Sequence, residues 1–420
     1  MKEIARDTYL NQLIAKRDIP LVKVITGIRR SGKSYLLNPI FKNYLISTGI
    51  PEDHIIYLNL ELDENALLRD HATLREYIVG KTPDATEYFI LLDEIQLVDQ
   101  FEGVLSSFLA KGNLNVYVTG SNSKFLSSDI ITEFRGRSDE IHIYPLSFKE
   151  FMSAYNGDKY AGWKDYTLYG GLPLIMRYSD PRQKMDYLEN QQKSIYLKDI
   201  VERYDIRNDV ALQSLVEIIA SSIGSLTNPY KLERTFKSKA NITPSHNTID
   251  DYLKKLEEAY IIERAKRFDV KGKQYIDTPV KFYFTDIGLR NSFLGFRQVE
   301  ETHIMENIIY LELRRRGYHV DVGVIDIFEK DGDKAKKKQV EIDFIANRGD
   351  RRYYIQSALT IGDPAKRAQE TRPLNAINDF FKRIIITNDI MLPSREENGI
   401  ITMNILDFLL NEDSLDREMS

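Results

Sequence analysis

The sequence predicts an α/β fold that opens with a parallel sheet covered by helices on both faces. Three observations carry this. Across the first 145 residues, short apolar runs alternate with amphipathic stretches. A glycine-bracketed loop ending in Lys33-Ser34 follows the first run and precedes a helical pattern. A later run, Tyr88-Phe89-Ile90-Leu91-Leu92, ends in Asp93-Glu94. Continuous apolar strands separated by helices need cover on both faces, as in parallel sheets.

The apolar runs lie at 21–25, 55–60, 88–92, 116–118 and 141–143, with helical patterns at 34–45, 66–79 and 101–109 between them. From 147 to 225 the pattern is mostly helical, broken at Gly157 and at Gly170-Gly171-Leu172-Pro173. Residues 228–285 then read as helix, turn, helix and hairpin. The helices are 230–238 and one running from Pro244 to about 259, capped by Ser245 or Asn247. The strands are 261–268 and 281–285, around a polar loop at 269–278. That order matches a winged helix-turn-helix. The last part reads as a helix at 304–316, strands at 319–328, 339–346 and 353–357, a helix at 365–380 and a strand at 383–387. Four segments follow: 1–146, 147–225, 226–290 and 291–420.

The chain has 420 residues, 42% of them hydrophobic and 29% charged, and no cysteine. That composition is ordinary for a globular protein. Absent cysteine excludes disulfides, thiolate metal sites and thiol nucleophiles, and fits a reducing, cytoplasmic setting. No apolar run approaches the roughly 18 residues needed to cross a bilayer, so no membrane role is expected. Glu3, Arg6 and Asp7 stand where a signal peptide needs an apolar stretch. The six histidines are scattered without a metal-type pair, so no structural zinc site is expected. A net charge of -5 confines any nucleic-acid footprint to a local patch.

Gly27-Ile28-Arg29-Arg30-Ser31-Gly32-Lys33-Ser34 matches G-x-x-x-x-G-K-[ST] in its required strand–loop–helix context. Such a loop wraps phosphate with backbone N–H groups. Lys33 reaches the β- and γ-phosphates, and Ser34 ligates Mg²⁺. Gly27, Arg29, Arg30, Ser31, Gly32, Lys33, Ser34 and Tyr35 are therefore the expected ATP-binding residues. Asp93 would hold Mg²⁺, and Glu94 would polarise the attacking water. The strand ending at Val118 leads into Thr119-Gly120-Ser121-Asn122. Ser121 or Asn122 would lie beside the γ-phosphate, or else simply cap a helix. Arg135 or Arg137 would act as an arginine finger, within one chain or across a homo-oligomer, or else form a basic surface turn. No N-K-x-D guanine-reading sequence occurs, which favours adenine.

On GIRRSGKS, LLDEIQ, VTGSN and RGRSDEIHIYPLSFKEF, the chain resembles AAA-type ATPases of a bacterial and archaeal group of poorly defined function. The later segments KFYFTDIGLRN, HIMENIIYLELRRRGY and EIDFIA extend the resemblance over almost the whole length. The resemblance implies a P-loop NTPase sheet of order 5-1-4-3-2, with Ser121 or Asn122 between Lys33 and Asp93. A helical lid, a winged helix and a restriction-endonuclease-like α/β domain would follow. In such a nuclease a helix glutamate, a strand aspartate and an acid-x-lysine pair gather around Mg²⁺. The counterparts are Glu306, Asp343 and Gln356-Ser357-Ala358, so the acid and the lysine of the last pair are missing. A neutral amide weakens hard-cation binding, and alanine supplies no cation. The domain is therefore expected to be a degenerate, inactive nuclease, unless Lys366 or Arg367 replaces the lost cation.

Residues 228–285 hold 12 Lys and Arg against 8 Asp and Glu, a net of +4. The expected second helix carries a mixed charge face, poorly suited to phosphate. Lys266, Arg267, Lys271 and Lys273 on the hairpin are more suggestive of DNA contact. The leading expectation is an ATPase whose nucleotide state moves the other parts. The alternative is a slow ATP-dependent switch that acts through partner binding.

Overall fold

The computed structural model describes residues 4–120, 136–192, 197–239, 244–298, 300–331 and 334–417. The chain divides into two compact units, 1–145 with 258–260, and the remainder from 146 to 420.

The first unit holds β1 (Val22–Thr26), β2 (Ile55–Asn59), β3 (Tyr88–Asp93), β4 (Leu114–Thr119) and β5 (Ser138–His142). They form one sheet in the order β5-β1-β4-β3-β2, every pair parallel. This is the expected 5-1-4-3-2. Successive side chains leave a strand on opposite faces. Hence Val22, Val24, Ile90, Leu92, Val116 and Val118 join one core with helices His71–Lys81 and Phe101–Leu109. Ile25, Phe89, Leu91 and Tyr117 join the other, with helix Asp7–Ala15 and the helical run 33–47. Each fully buried Val, Leu, Ile or Phe contributes about 1.5–3 kcal/mol. Helix 33–47 is not continuous as expected. Asn38 is extended (φ −144°, ψ 116°) because it precedes Pro39, whose ring disfavours helical backbone at the residue before it.

The second unit is built on an eight-stranded sheet. Its strands are β6 (Ile262–Asp269), β7 (Gln274–Phe284), β8 (His319–Asp331), β9 (Lys334–Arg348), β10 (Arg351–Ala358), β11 (Lys382–Thr387), β12 (Ser394–Arg395) and β13 (Ile401–Asn404). They run in the order β12-β13-β11-β10-β9-β8-β6-β7. Strand β6 pairs antiparallel with β7 and parallel with β8. The hairpin after the helix–turn–helix stretch is thus continuous with the C-terminal sheet. β7 also begins at Gln274, inside the stretch expected to be a polar loop. Its first residues are exposed but hydrogen-bond to β6, which sequence polarity could not reveal.

Helices Pro229–Lys239 and His246–Glu258 precede the hairpin, and the Ser245 hydroxyl caps the second by accepting from Thr248 N at 3.2 Å. Helix Glu301–Arg315 precedes β8. Helix Pro364–Asn375 stops five residues short of expectation, two residues past Pro373, which lacks an N–H. Apolar residues of β9, β10 and β11, among them Ile342, Tyr354 and Ile385, form the core beside that helix with Leu374.

Candidate functional site

The loop 27–34 joins the end of β1 to the helical run, as the sequence requires. Gly27 has φ +134°, and a Cβ there would meet the Ile143 carbonyl oxygen at 2.1 Å, so only glycine fits. Arg30 (φ 64°) and Gly32 (φ 99°) are also left-handed, and the loop closes on itself where Ser31 N donates to the Ile28 carbonyl at 3.2 Å. Arg6 braces the loop from outside. Its guanidinium donates to the Ser31 carbonyl at 3.0 Å and to the Tyr144 carbonyl at 2.6 Å.

Lys33 is 4% exposed. Its ammonium donates to the carbonyls of Gly27 (2.9 Å) and Ile28 (3.1 Å), both neutral acceptors. Burial pushes Lys33 down to about 8, against the opposing pull of Glu94 and Asp93. The Ser34 hydroxyl donates to Asp93 Oδ1 at 3.1 Å, bringing the loop onto the end of β3.

Asp93 is 1% exposed. Oδ1 also accepts from the Thr119 hydroxyl at the end of β4, while Oδ2 is buried without a hydrogen-bond partner among the described residues. Burial raises the Asp93 carboxyl above its usual range, although Thr119 and Ser34 pull the other way. A buried carboxylate oxygen left unpaired is costly, and a bound cation would relieve that cost. The nearby Tyr57 hydroxyl is pushed up to about 12, by burial first and Asp93 second.

Glu94 follows in a left-handed conformation (φ 57°), unusual for glutamate and costing of order 1–3 kcal/mol. Its N–H donates to Thr119 Oγ1 at 3.0 Å, and its carboxylate accepts from the Gln96 amide. The strain turns the backbone sharply out of β3 beside Asp93.

Lys33, Ser34, Asp93 and Glu94 therefore converge at the C-terminal ends of β1 and β3, where open α/β sheets bind ligands. Arg29 pairs with Glu61 at 3.2 Å, and Arg30 and Tyr35 are exposed. Ser31 is fully buried, and its Oγ has no hydrogen-bond partner among the described residues. Ser121, Asn122 and Arg135 lie outside the described residues. Arg137 is exposed at the entry to β5, where its carbonyl accepts from Val22 N. That is the opposite end of the sheet from Lys33, roughly 17 Å along a five-residue strand. The fold does not bring Arg137 to this site within one chain.

The sequence reading missed Thr119, Tyr57 and Arg6. Thr119 sits at the flagged strand end, two residues before Ser121. Tyr57 and Arg6 carry no local signal, because partners distant in sequence place them.

In the second unit, the nuclease-like residues do converge. Glu306 comes from helix Glu301–Arg315, Asp343 from β9 and Gln356 from β10. The cation beside them is neither Lys366 nor Arg367. Lys366 pairs with Glu370 at 2.6 Å and Arg367 with Glu396 at 2.6 Å. It is Lys281 of β7, whose ammonium lies 2.8 Å from Glu306, 2.6 Å from Glu341 and 3.8 Å from Asp343. The Tyr283 hydroxyl donates to Glu306 at 2.6 Å, and Ser357 N donates to Asp343 at 2.8 Å. Gln356 is tied to Glu370 at 3.0 Å. Burial works against the Lys281 charge, but Glu306, Asp343 and Glu341 outweigh it and hold the ammonium protonated. Burial and then Glu306 push Asp343 well above the usual carboxylate range. No group of three or more His, Asp or Glu among the described residues could hold a metal ion.

The hairpin is less basic outward than its sequence suggests. Arg267 turns inward to Gln339 at 2.7 Å, reaching across β8, which lies between β6 and β9 in the sheet. Lys266, Lys271 and Lys273 stay exposed. No helix of the described residues is long and apolar enough to cross a membrane.

A family model described as an AAA domain matches residues 20–152, and a domain of unknown function (DUF8612) matches residues 160–300. An uncharacterised protein of Haemophilus influenzae is 36% identical over 413 residues, covering 97% of this chain and 98% of that one. An uncharacterised protein of Methanocaldococcus jannaschii is 30% identical over 400 residues, covering 90% and 84%. Among solved structures, a Walker-type ATPase of Pyrococcus abyssi is similar at 15% identity and a TM-score of 0.48, over 70% of this chain and 96% of that one. The chain belongs to the family of these two uncharacterised proteins, and its N-terminal part is an AAA-type P-loop ATPase domain.

Proposed function

We propose that the protein binds ATP with Mg²⁺ and hydrolyses the terminal phosphoanhydride bond, turning nucleotide state into a conformational change. The observation that carries this is Asp93. It is a buried carboxylate with one oxygen unpartnered among the described residues, next to a hydroxyl and a lysine that rests on neutral carbonyls. On this reading the residues present fit both groups. Lys33 leaves the Gly27 and Ile28 carbonyls for the β- and γ-phosphates, and the loop N–H groups between Ile28 and Lys33 hold the remaining phosphate oxygens. Ser34 and Asp93 hold Mg²⁺, which neutralises charge that develops on the phosphate oxygens. Glu94 orients the attacking water and accepts its proton. Thr119 fixes Asp93 and the Glu94 backbone together. An arginine finger from Arg137 would come from a second copy.

ATP binding and phosphate release by purified variants test this reading. Lys33→Ala should lose nucleotide binding. Glu94→Gln should still bind ATP but turn over about 10²–10⁴-fold more slowly. Unchanged hydrolysis in both variants would reject the site. A wild-type rate near that of Glu94→Gln, with partner capture only in ATP, would mark the protein as a slow switch.

The nuclease-like centre is proposed to be silent, because Lys281 already neutralises its carboxylates. Mg²⁺- or Mn²⁺-dependent cleavage of DNA or RNA that disappears in Asp343→Ala would overturn this. Duplex DNA contact is assigned to the exposed Lys266, Lys271 and Lys273. Replacing all three with Glu should weaken duplex binding and leave hydrolysis alone.

A further inference from the structure

A cavity of about 590 Å³ lies at one edge of the second sheet, where β11, β12 and β13 meet the end of the described chain. It is lined by Lys382, Arg383, Arg395 and Arg417, with Asp379 as its one acid. Its net charge is +3, in a chain whose net charge is -5. Asp379 is already committed. It accepts from the Tyr354 hydroxyl at 2.6 Å and from Phe381 N at 3.1 Å.

None of the four cations has an ion-pair partner among the described residues. Lys382 donates to the carbonyls of Leu415, Asp416 and Arg417. Arg383 donates to the carbonyls of Leu374 and Asn398, and Arg417 to the Asn411 amide oxygen. These neutral acceptors hold the side chains in place without cancelling their charge. Each guanidinium has five N–H donors, so Arg383, Arg395 and Arg417 retain most of theirs. Forked donors of this kind match phosphate oxygens.

Beside the cations stands Phe380, fully solvent-exposed at 108% of the reference area. The next ring, Phe381, is 40% exposed and carries the Arg352 guanidinium 5.4 Å from its centroid. A bare aromatic ring among uncompensated guanidiniums offers two contacts together: a face for a planar base and donors for the adjoining phosphates. A duplex buries its base faces in its own stack, whereas a single strand can present one to Phe380.

We propose that this edge is a binding site for single-stranded nucleic acid, with a base on Phe380 and phosphates on Arg383, Arg395 and Arg417. It is separate from the nucleotide loop and from the β6–β7 hairpin, and rests on neither reading.

Anisotropy titrations of the full chain with labelled dT20 at low salt test it, alongside a duplex of equal length and free dTMP as competitor. Phe380→Ala should weaken dT20 binding about 10-fold. Arg395→Ala with Arg417→Ala should flatten the salt dependence by roughly 0.7 per lost phosphate contact. ATP turnover and melting temperature should stay at wild-type values in these variants, and the hairpin triple variant should keep its dT20 affinity. The proposal fails if dT20 affinity is within twofold of wild type in both variants. It fails equally if Phe380→Ala weakens duplex binding as much as dT20 binding. Displacement of dT20 by dTMP at matched nucleotide concentration would also overturn it, in favour of a mononucleotide site.

Discussion

The two units each bury a lysine beside carboxylates, and they treat it in opposite ways. Lys33 rests on two backbone carbonyls, and burial lowers it to about 8. Lys281 sits on Glu306 and Glu341 with Asp343 close by, and those acids hold it charged. The carboxylates differ to match. Asp93 keeps an oxygen without a hydrogen-bond partner among the described residues, whereas Glu306 is satisfied by Lys281 and Tyr283. A lysine on neutral acceptors can leave them for a phosphate at small cost. A lysine locked among buried acids cannot leave without stranding their charge. Residue types already marked the second centre as degenerate at Gln356 and Ala358; the partners of each lysine show why one centre is open and the other closed.

The largest expected effect breaks the closed centre. Lys281→Met should destabilise the second unit by about 3–5 kcal/mol, because it leaves buried acids uncompensated. Adding Glu306→Gln should recover part of that loss. Denaturant midpoints of the single and double variants decide it, and an unchanged midpoint in Lys281→Met would mean that the lysine is no lock. The open centre should respond differently. Lys33→Ala should lower ATP turnover by about 10²–10³-fold while leaving the unfolding midpoint near wild type, since its ammonium is hydrogen-bonded to backbone carbonyls and not to a carboxylate. Thr119→Val is expected to cost about 1–3 kcal/mol by stripping hydrogen bonds from Asp93 and Glu94, with a matching loss of Mg²⁺-dependent nucleotide affinity. Calorimetry with and without Mg²⁺ separates that loss from general destabilisation.

The smallest effect is a pH dependence. With Lys33 near 8 when folded and 10.5 ordinarily, the unfolded chain binds more protons between those values. Stability from this group should therefore rise as pH climbs from about 8 to 10.5. Nucleotide phosphate restores the ammonium, so binding near pH 8.5 should take up a fraction of a proton, and affinity should fall as pH rises further. Calorimetry in buffers of differing ionisation enthalpy measures that uptake. Proton release, or no exchange at all, would remove Lys33 from the phosphates.

Much of the first unit was legible in the sequence. The apolar runs gave its strands within a few residues, and the sheet order follows the resemblance carried by the loop and the Asp93-Glu94 run. Both motifs are local, so spacing alone placed Lys33, Ser34, Asp93 and Glu94 at one sheet edge. The second unit was less legible. Six of its eight strands were found; the short β12 and β13 were not, nor was the polar start of β7, because exposed strand residues differ little from loop residues in composition.

By itself, the sequence determined the parallel sheet, the phosphate-type loop and the acids at the end of β3. These depend on short-range periodicity and on glycines that only one backbone shape requires. Tertiary structure decided which cation each acid would meet. Lys281 lies 25 residues from Glu306 and 62 from Asp343, and Arg6 lies 25 from Ser31, so tertiary packing of separate elements, not any local pattern, selects them. It also decided that Arg267 turns inward while exposed Phe380 shares one cavity with four cations that have no ion-pair partner among the described residues, because exposure belongs to the folded surface and has no imprint in the order of residues.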